Sequence, residues 1–171
     1  MGSLRNAAAL FLVLLSGACT GTGARIALPA GVSCETLDSP VVRPGGPRIL
    51  VVVAHPDDEI AFAGALYKAT THLHGRADVA VITNGEGGYK YSTLAERVYG
   101  LPLTDEAVGR AHLPAIRRRE LAAGCRWLGV SRIYFLDEQD QHYTRDEGEM
   151  LRPGADVWDL ERVETALRAL L

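Results

Sequence analysis

Three short apolar runs alternate along the chain with longer segments whose apolar residues recur at helical spacing. Continuous, largely β-branched runs are typical of strands buried on both faces of a parallel sheet, and the intervening segments are typical of crossover helices. This alternation predicts an α/β fold, a Rossmann-like parallel sheet flanked by helices, with right-handed crossovers. The predicted strands are 49–54, 78–83 and 132–136, and the predicted helices are 58–72, 112–128 and 157–171.

The helices are predicted to pack on the sheet through one apolar side each, and the rest of residues 48–171 to connect them. In the first helix this side includes Ile60 and Leu66, and Gly129 ends the second helix in the usual C-terminal manner. Residues 84–104 are polar and Gly-rich and are predicted to form a long loop. Because the last predicted helix has no strand after it, we expect the sheet to be incomplete at its C-terminal end.

The first 18 residues have the pattern of a secretory signal peptide. Arg5 precedes an apolar stretch of about ten residues, and small residues follow it. The alternative is a buried N-terminal helix. Cys19 follows the small residues as in a lipoprotein lipobox, although Ser16 and Ala18 equally suit ordinary signal-peptidase cleavage. We therefore expect export, either to the periplasm or extracellular space or to a membrane through a lipid on Cys19, and we read 19–47 as a tether.

Composition narrows the class of protein. Hydrophobic residues make up 47% of the chain and charged residues 23%, which are globular proportions. With 18 basic and 21 acidic residues the net charge is -3, so a basic nucleic-acid-binding surface is not expected. If Cys19 is lipidated, Cys34 and Cys125 are the only cysteines left that could form a disulfide in an oxidising compartment.

The strongest chemical signal follows the first predicted strand, where the chain reads Ala-His-Pro-Asp-Asp-Glu over residues 54–59. Open α/β sheets bind ligands at this edge. The carboxylates alone are explicable as favourable charges at a helix N-terminus. His55 changes the interpretation, because an imidazole and a carboxylate together supply two of the three protein ligands of a catalytic zinc site. One of the adjacent Asp57 and Asp58 would then be a ligand and the other a base for the bound water.

From these residues onward the sequence resembles the PIG-L/LmbE-like family of metal-dependent N-deacetylases. The resemblance covers about residues 48–171 and rests on segments 54–59, 83–88, 116–121 and 134–137. It implies that His55 and Asp58 are ligands of Zn2+ or another divalent metal, that Asp57 is the general base, and that Glu59 supports them from outside the ligand set. It further implies removal of an acetyl group from an N-acetylglucosamine-like small molecule, by attack of metal-bound water on the amide carbonyl.

This sequence departs from the family pattern at the third metal ligand. In the family it is a histidine of a downstream motif, and that motif is absent here, so Leu171 is expected to be a truncation point. His112 and His142 are weak candidates for a replacement, because both follow segments that could face the carboxyl edge of the sheet. His72 and His74 are expected to lie about 20 Å from the start of their helix, too far to contribute.

Substrate contacts are expected from residues near the same edge. Asn84 and Glu86 follow the second strand, and Arg118 lies in an arginine run, 117–119, that is otherwise expected to be a solvated helix face. The glycines of the 84–88 segment do not form a dinucleotide-binding fingerprint, which argues against a nucleotide-dependent oxidoreductase. The remaining alternative is a catalytically inactive or binding module of the same fold.

Overall fold

The computed structural model describes residues 28–141, 145–146, 148–149 and 158–171. Within these residues the centre of the fold is a four-stranded mixed sheet of order β1-β4-β3-β2. Strands β2, β3 and β4 run parallel, and β1 pairs antiparallel with β4 at one edge. The strands are β1 (Ser33–Thr36), β2 (Arg48–Val53), β3 (Arg76–Thr83) and β4 (Arg132–Glu138). The predicted α/β class and the three predicted parallel strands are confirmed.

Side chains of the central strands alternate between two apolar cores, one on each face of the sheet. Val79 and Val81 of β3 lie in the first core, whereas Ala80 and Ile82 lie in the second. This two-residue period explains why residues 79–82 of β3 and 133–136 of β4 are apolar without interruption, because both faces of these strands are buried. The long helix α3 (Glu106–Trp127) covers the first core and α4 (Leu160–Leu170) covers the second.

The first predicted helix is broken into three short pieces. A 3-10 turn over Asp58–Phe62 precedes α1 (Ala63–Tyr67), and a π-helical turn over Lys68–His72 ends the segment. Ile60 was predicted to face inward and is 73% exposed, while the neighbouring Glu59 is buried. The tighter three-residue period of a 3-10 turn rotates the side chains relative to an α-helix, so the helical pattern gives the wrong face here.

The segment 84–104 was predicted to be a loop, but much of it is helical. A 3-10 helix spans Glu86–Tyr91 and α2 spans Thr93–Tyr99. Helix α3 begins at Glu106, six residues before its predicted start, because the Asp105 side chain accepts a hydrogen bond from the Val108 amide and caps it. Neither the two short helices nor the capped first turns of α3 produce an apolar stripe in the sequence.

Part of the predicted tether belongs to the sheet. Strand β1 lies within 19–47 and pairs with β4, and the flanking Val32 and Leu37 are buried. A four-residue strand of mixed polarity has no recognisable period, and its position is fixed by pairing with a distant strand. The possible Cys34–Cys125 disulfide is not formed, since Cys125 is a free thiol buried in the first core. No helix among the described residues is long and apolar enough to cross a membrane.

Candidate metal and substrate site

The turn after β2 is held in an unusual backbone conformation at the carboxyl edge of the sheet. The amide and the hydroxyl of Thr83 both donate to the Ala54 carbonyl, each at 2.9 Å, so the end of β3 fixes the end of β2. Asp57 has a φ of 122°, which is rare for a residue with a side chain. Its amide donates to Glu59 Oε2 at 2.9 Å, and Glu59 is only 5% exposed. Glu59 therefore stabilises the turn through the Asp57 backbone.

His55 lies between two carboxylates, one at each ring nitrogen. Its Nδ1 is 3.3 Å from Asp58 Oδ2, and its Nε2 is 3.1 Å from Asp140 Oδ1. The Asp58 carboxylate also accepts the His55 backbone amide at 2.9 Å. The hydrogen bond and charge of Asp140, together with Asp58, raise the pKa of His55 above its usual 6.5 in spite of partial burial.

Asp140 was not predicted from the sequence as a site residue, although it is in direct contact with His55. Asp140 Oδ2 accepts the Gly87 amide at 2.8 Å, and the Asp140 amide donates to Glu86 Oε1 at 2.9 Å. Arg110 donates to the Asp140 carbonyl at 3.0 Å. The available signal was its position two residues after β4, at the edge where the other parallel strands end.

Apart from Arg118, the arginine run is expected from the sequence to be a solvated helix face, and for Arg117 that expectation is wrong. Arg117 Nη2 donates to Asp57 Oδ2 at 2.5 Å and also to the Pro56 carbonyl. Only Arg119 is exposed. Arg117 therefore joins α3 to the turn that carries the predicted base.

Arg118 forms a second polar cluster beside the first. It donates to Asn84 Oδ1 at 2.8 Å and to Asp137, and Asn84 donates to the same Asp137 oxygen at 2.7 Å. The Arg118 guanidinium lies 4.3 Å from the centroid of the Phe135 ring. Two of the predicted substrate residues, Asn84 and Arg118, are thus brought together, while Glu86 lies with Asp140.

A comparison with protein families identifies the chain. Residues 50–171 match the model of the PIG-L family, described as GlcNAc-PI de-N-acetylase. The chain belongs to the PIG-L family. The matched range begins within β2 and includes both the Asp57 turn and the Arg117 helix.

Curated relatives of this PIG-L chain are named as deacetylases of an amino-sugar compound. A protein of Catenulispora acidiphila, named 1D-myo-inositol 2-acetamido-2-deoxy-alpha-D-glucopyranoside deacetylase 3, is 38% identical over 112 residues, which cover 60% of this chain and 29% of that protein. A Salinispora arenicola protein of the same name without the number is 36% identical over 104 residues, covering 60% and 30%. The chain thus spans less than a third of the length of these relatives. Among solved structures, N,N'-diacetylchitobiose deacetylase from Pyrococcus horikoshii matches with a TM-score of 0.43 and 30% identity, covering 54% of this chain and 30% of that one.

The donor atoms of the PIG-L site fit a zinc ion in kind and in spacing. An imidazole nitrogen and a carboxylate oxygen are both common zinc ligands. Two ligands that each lie about 2.1 Å from a tetrahedral zinc are about 3.4 Å apart. The Nδ1 of His55 and the Oδ2 of Asp58 are 3.3 Å apart, close to this value. These two residues therefore suit a shared divalent cation.

The other histidines of the PIG-L chain do not add a ligand within the described residues. His72 and His74 precede β3, at the opposite edge of the sheet, where they border an open groove with Arg43. His112 is exposed on α3, and His142 lies outside the described residues. Across the described part of the chain, no group of three His, Cys, Asp or Glu side chains is placed to hold a metal.

Proposed function

We propose that this PIG-L domain is a metal-dependent N-deacetylase that removes the acetyl group from an N-acetylglucosamine-like small molecule. The observation that carries the proposal is the pairing of His55 Nδ1 with Asp58 Oδ2 at 3.3 Å, a zinc-compatible spacing at the ligand-binding edge of the sheet. The names of the relatives, both deacetylases of a 2-acetamido-2-deoxy-glucopyranoside, support the substrate class.

His55 and Asp58 would hold Zn2+ or another divalent cation. When bound, the cation supplies Lewis-acid polarisation and lowers the pKa of a coordinated water. Asp57 is proposed as the general base, because it lies next to the ligands in sequence and its carboxylate is 67% exposed. The guanidinium of Arg117, whose Nη2 lies 2.5 Å from Asp57 Oδ2, holds this carboxylate in place.

The rim of the site supplies polar groups suited to a sugar. Glu86 Oε2 is buried and is without a hydrogen-bond partner among the described residues, and such a group gains by receiving a donor. Arg118 and Asn84 form a fixed pair at the same edge. We propose that these three residues contact the hydroxyl and N-acyl groups of the substrate.

The second candidate is an inactive or binding module of the same fold. It is favoured by one observation, that the described residues provide only two of the three protein ligands expected of a catalytic zinc site. Zinc binding without acetate release would support this alternative.

The proposed base can be tested with two conservative variants. Asp57→Asn keeps an oxygen that can accept from Arg117 but removes the basic group, so we expect acetate release to fall about 100-fold or more while zinc still binds. Asp38→Asn, an exposed residue outside the site, is the matched control and should retain full activity. Acetate is measured after incubation with the N-acetylated compound in the relatives' names, 1D-myo-inositol 2-acetamido-2-deoxy-alpha-D-glucopyranoside. Unchanged release by Asp57→Asn would refute the assignment.

Export is proposed on the sequence pattern alone. Residues 1–18 would be the signal peptide. Cys19 would then be either a lipidated residue or the first residue left after ordinary signal-peptidase cleavage. Both lie outside the described residues.

A further inference from the structure

Asp140 is a largely buried carboxylate in contact with His55. Its side chain is 10% exposed, whereas that of His55 is 41% exposed. A carboxylate that is removed from water requires hydrogen-bond donors, and Asp140 has one at each oxygen: His55 Nε2 at Oδ1 and the Gly87 amide at Oδ2.

The backbone of Asp140 is anchored as firmly as its side chain. Its amide donates to Glu86 and its carbonyl accepts from Arg110. Gly87 is required for the close approach, because a Cβ there would lie 2.8 Å from Asp140 Oδ2. Asp140 is therefore held in place by both its backbone and its side chain. The more exposed His55 ring is the partner that it orients.

We propose that Asp140 is a positioning residue that sets the tautomer and orientation of His55 for metal binding. This inference rests on the proposed metal dependence. A hydrogen bond from Nε2–H to Asp140 Oδ1 leaves the lone pair of Nδ1 free on the side where Asp58 Oδ2 lies. Metal-binding histidines commonly donate their second N–H to a carboxylate in this way.

The same geometry argues against Asp140 as a direct ligand of that cation. The two nitrogens of an imidazole point away from each other, and Asp140 is at Nε2 while Asp58 is at Nδ1. A cation shared by Nδ1 and Asp58 is thus on the far side of the ring from Asp140.

The first test is zinc affinity, measured on the full chain by competition with a chromogenic chelator. Asp140→Asn has a single side-chain acceptor for two donors, Nε2–H and the Gly87 amide, so we expect zinc to bind 10- to 100-fold more weakly. Asp137→Asn removes the same charge at the same edge without contacting His55, and should change zinc affinity less than about threefold. Circular dichroism at the assay temperature ensures that both variants are folded.

The second test reads the ring directly in the metal-free chain. Nitrogen-15 spectra of labelled histidine distinguish Nε2–H from Nδ1–H, and we expect the neutral His55 ring to be Nε2–H in the parent and a mixture in Asp140→Asn. Equal zinc affinities of Asp140→Asn and Asp137→Asn, or a tautomer that does not change, would overturn the proposal for Asp140 alone. Failure of the parent to bind zinc, or retained binding by His55→Ala, would overturn the metal dependence as well.

Discussion

Substitution of Gly87 by alanine tests whether the 3-10 helix after β3 packs tightly against the loop after β4. A Cβ at this position would lie 2.3 Å from the Gln141 carbonyl oxygen and 2.8 Å from Asp140 Oδ2. The first contact is with backbone, so it cannot be relieved by rotating a side chain. The 3-10 helix and the loop after β4 must therefore move apart. This movement breaks the hydrogen bond from the Gly87 amide to Asp140.

The expected cost follows from these two effects. Overpacking at a close contact costs about 1–3 kcal/mol. A buried carboxylate oxygen that loses its hydrogen bond costs a further ~1–3 kcal/mol. We therefore expect Gly87→Ala to lower the free energy of unfolding by about 2–6 kcal/mol. Because Asp140 is displaced from His55, zinc affinity should fall as well.

Urea unfolding followed by far-ultraviolet circular dichroism measures this cost, with Gly64→Ala as the matched control. Gly64 is exposed in α1, and a Cβ there meets nothing within 4 Å. That variant should gain about 0.5–1 kcal/mol, since alanine is the better helix former. Equal urea midpoints for Gly87→Ala and the parent would refute the close packing of the 3-10 helix against the loop after β4.

Three further predictions concern the core, the thiol and the histidine. Leu66 is fully buried, so Leu66→Ala should cost about 2–5 kcal/mol in urea unfolding, and a cost below 1 kcal/mol would contradict its place in the core. Burial raises the pKa of the Cys125 thiol to about 12, so it should react with a thiol reagent only in denaturant, and fast reaction of the folded chain would contradict this. The raised pKa of His55 in the folded, metal-free chain stabilises it below pH 6.5, and this stabilisation is lost as pH rises through the folded pKa. The stability difference between the parent and Asp140→Asn should therefore be larger at pH 6 than at pH 9, and a difference that does not change with pH would contradict it.

The features that sequence could predict are those encoded in contiguous residues. Strands β2, β3 and β4 each contain a continuous apolar run, and for the central β3 and β4 this follows from the two cores that cover both faces of the sheet. The turn at residues 54–59 is likewise contiguous, and it places an imidazole and three carboxylates at one strand end. Both could be read directly from the chain.

The features that sequence could not predict depend on pairing between distant segments. Strand β1 is held by β4, about a hundred residues later in the chain, and its own four residues have no distinctive pattern. Asp140 reaches His55 across 85 positions. Nothing in the local sequence distinguishes Arg117 from a surface arginine of α3, because its partner Asp57 lies 60 positions earlier in the chain. Such contacts require the topology of the sheet, which periodicity does not specify.

Metal dependence of acetate release tests the central claim most directly. One preparation of the full chain would be assayed with the inositol 2-acetamido-2-deoxy-glucopyranoside as purified, after removal of metal by a chelator, and after addition of one equivalent of zinc. The account predicts that chelation abolishes acetate release and that zinc restores it in the parent, but not in His55→Ala or Asp58→Ala. Acetate release that persists after complete removal of metal, or that zinc restores equally in those two variants, would contradict it.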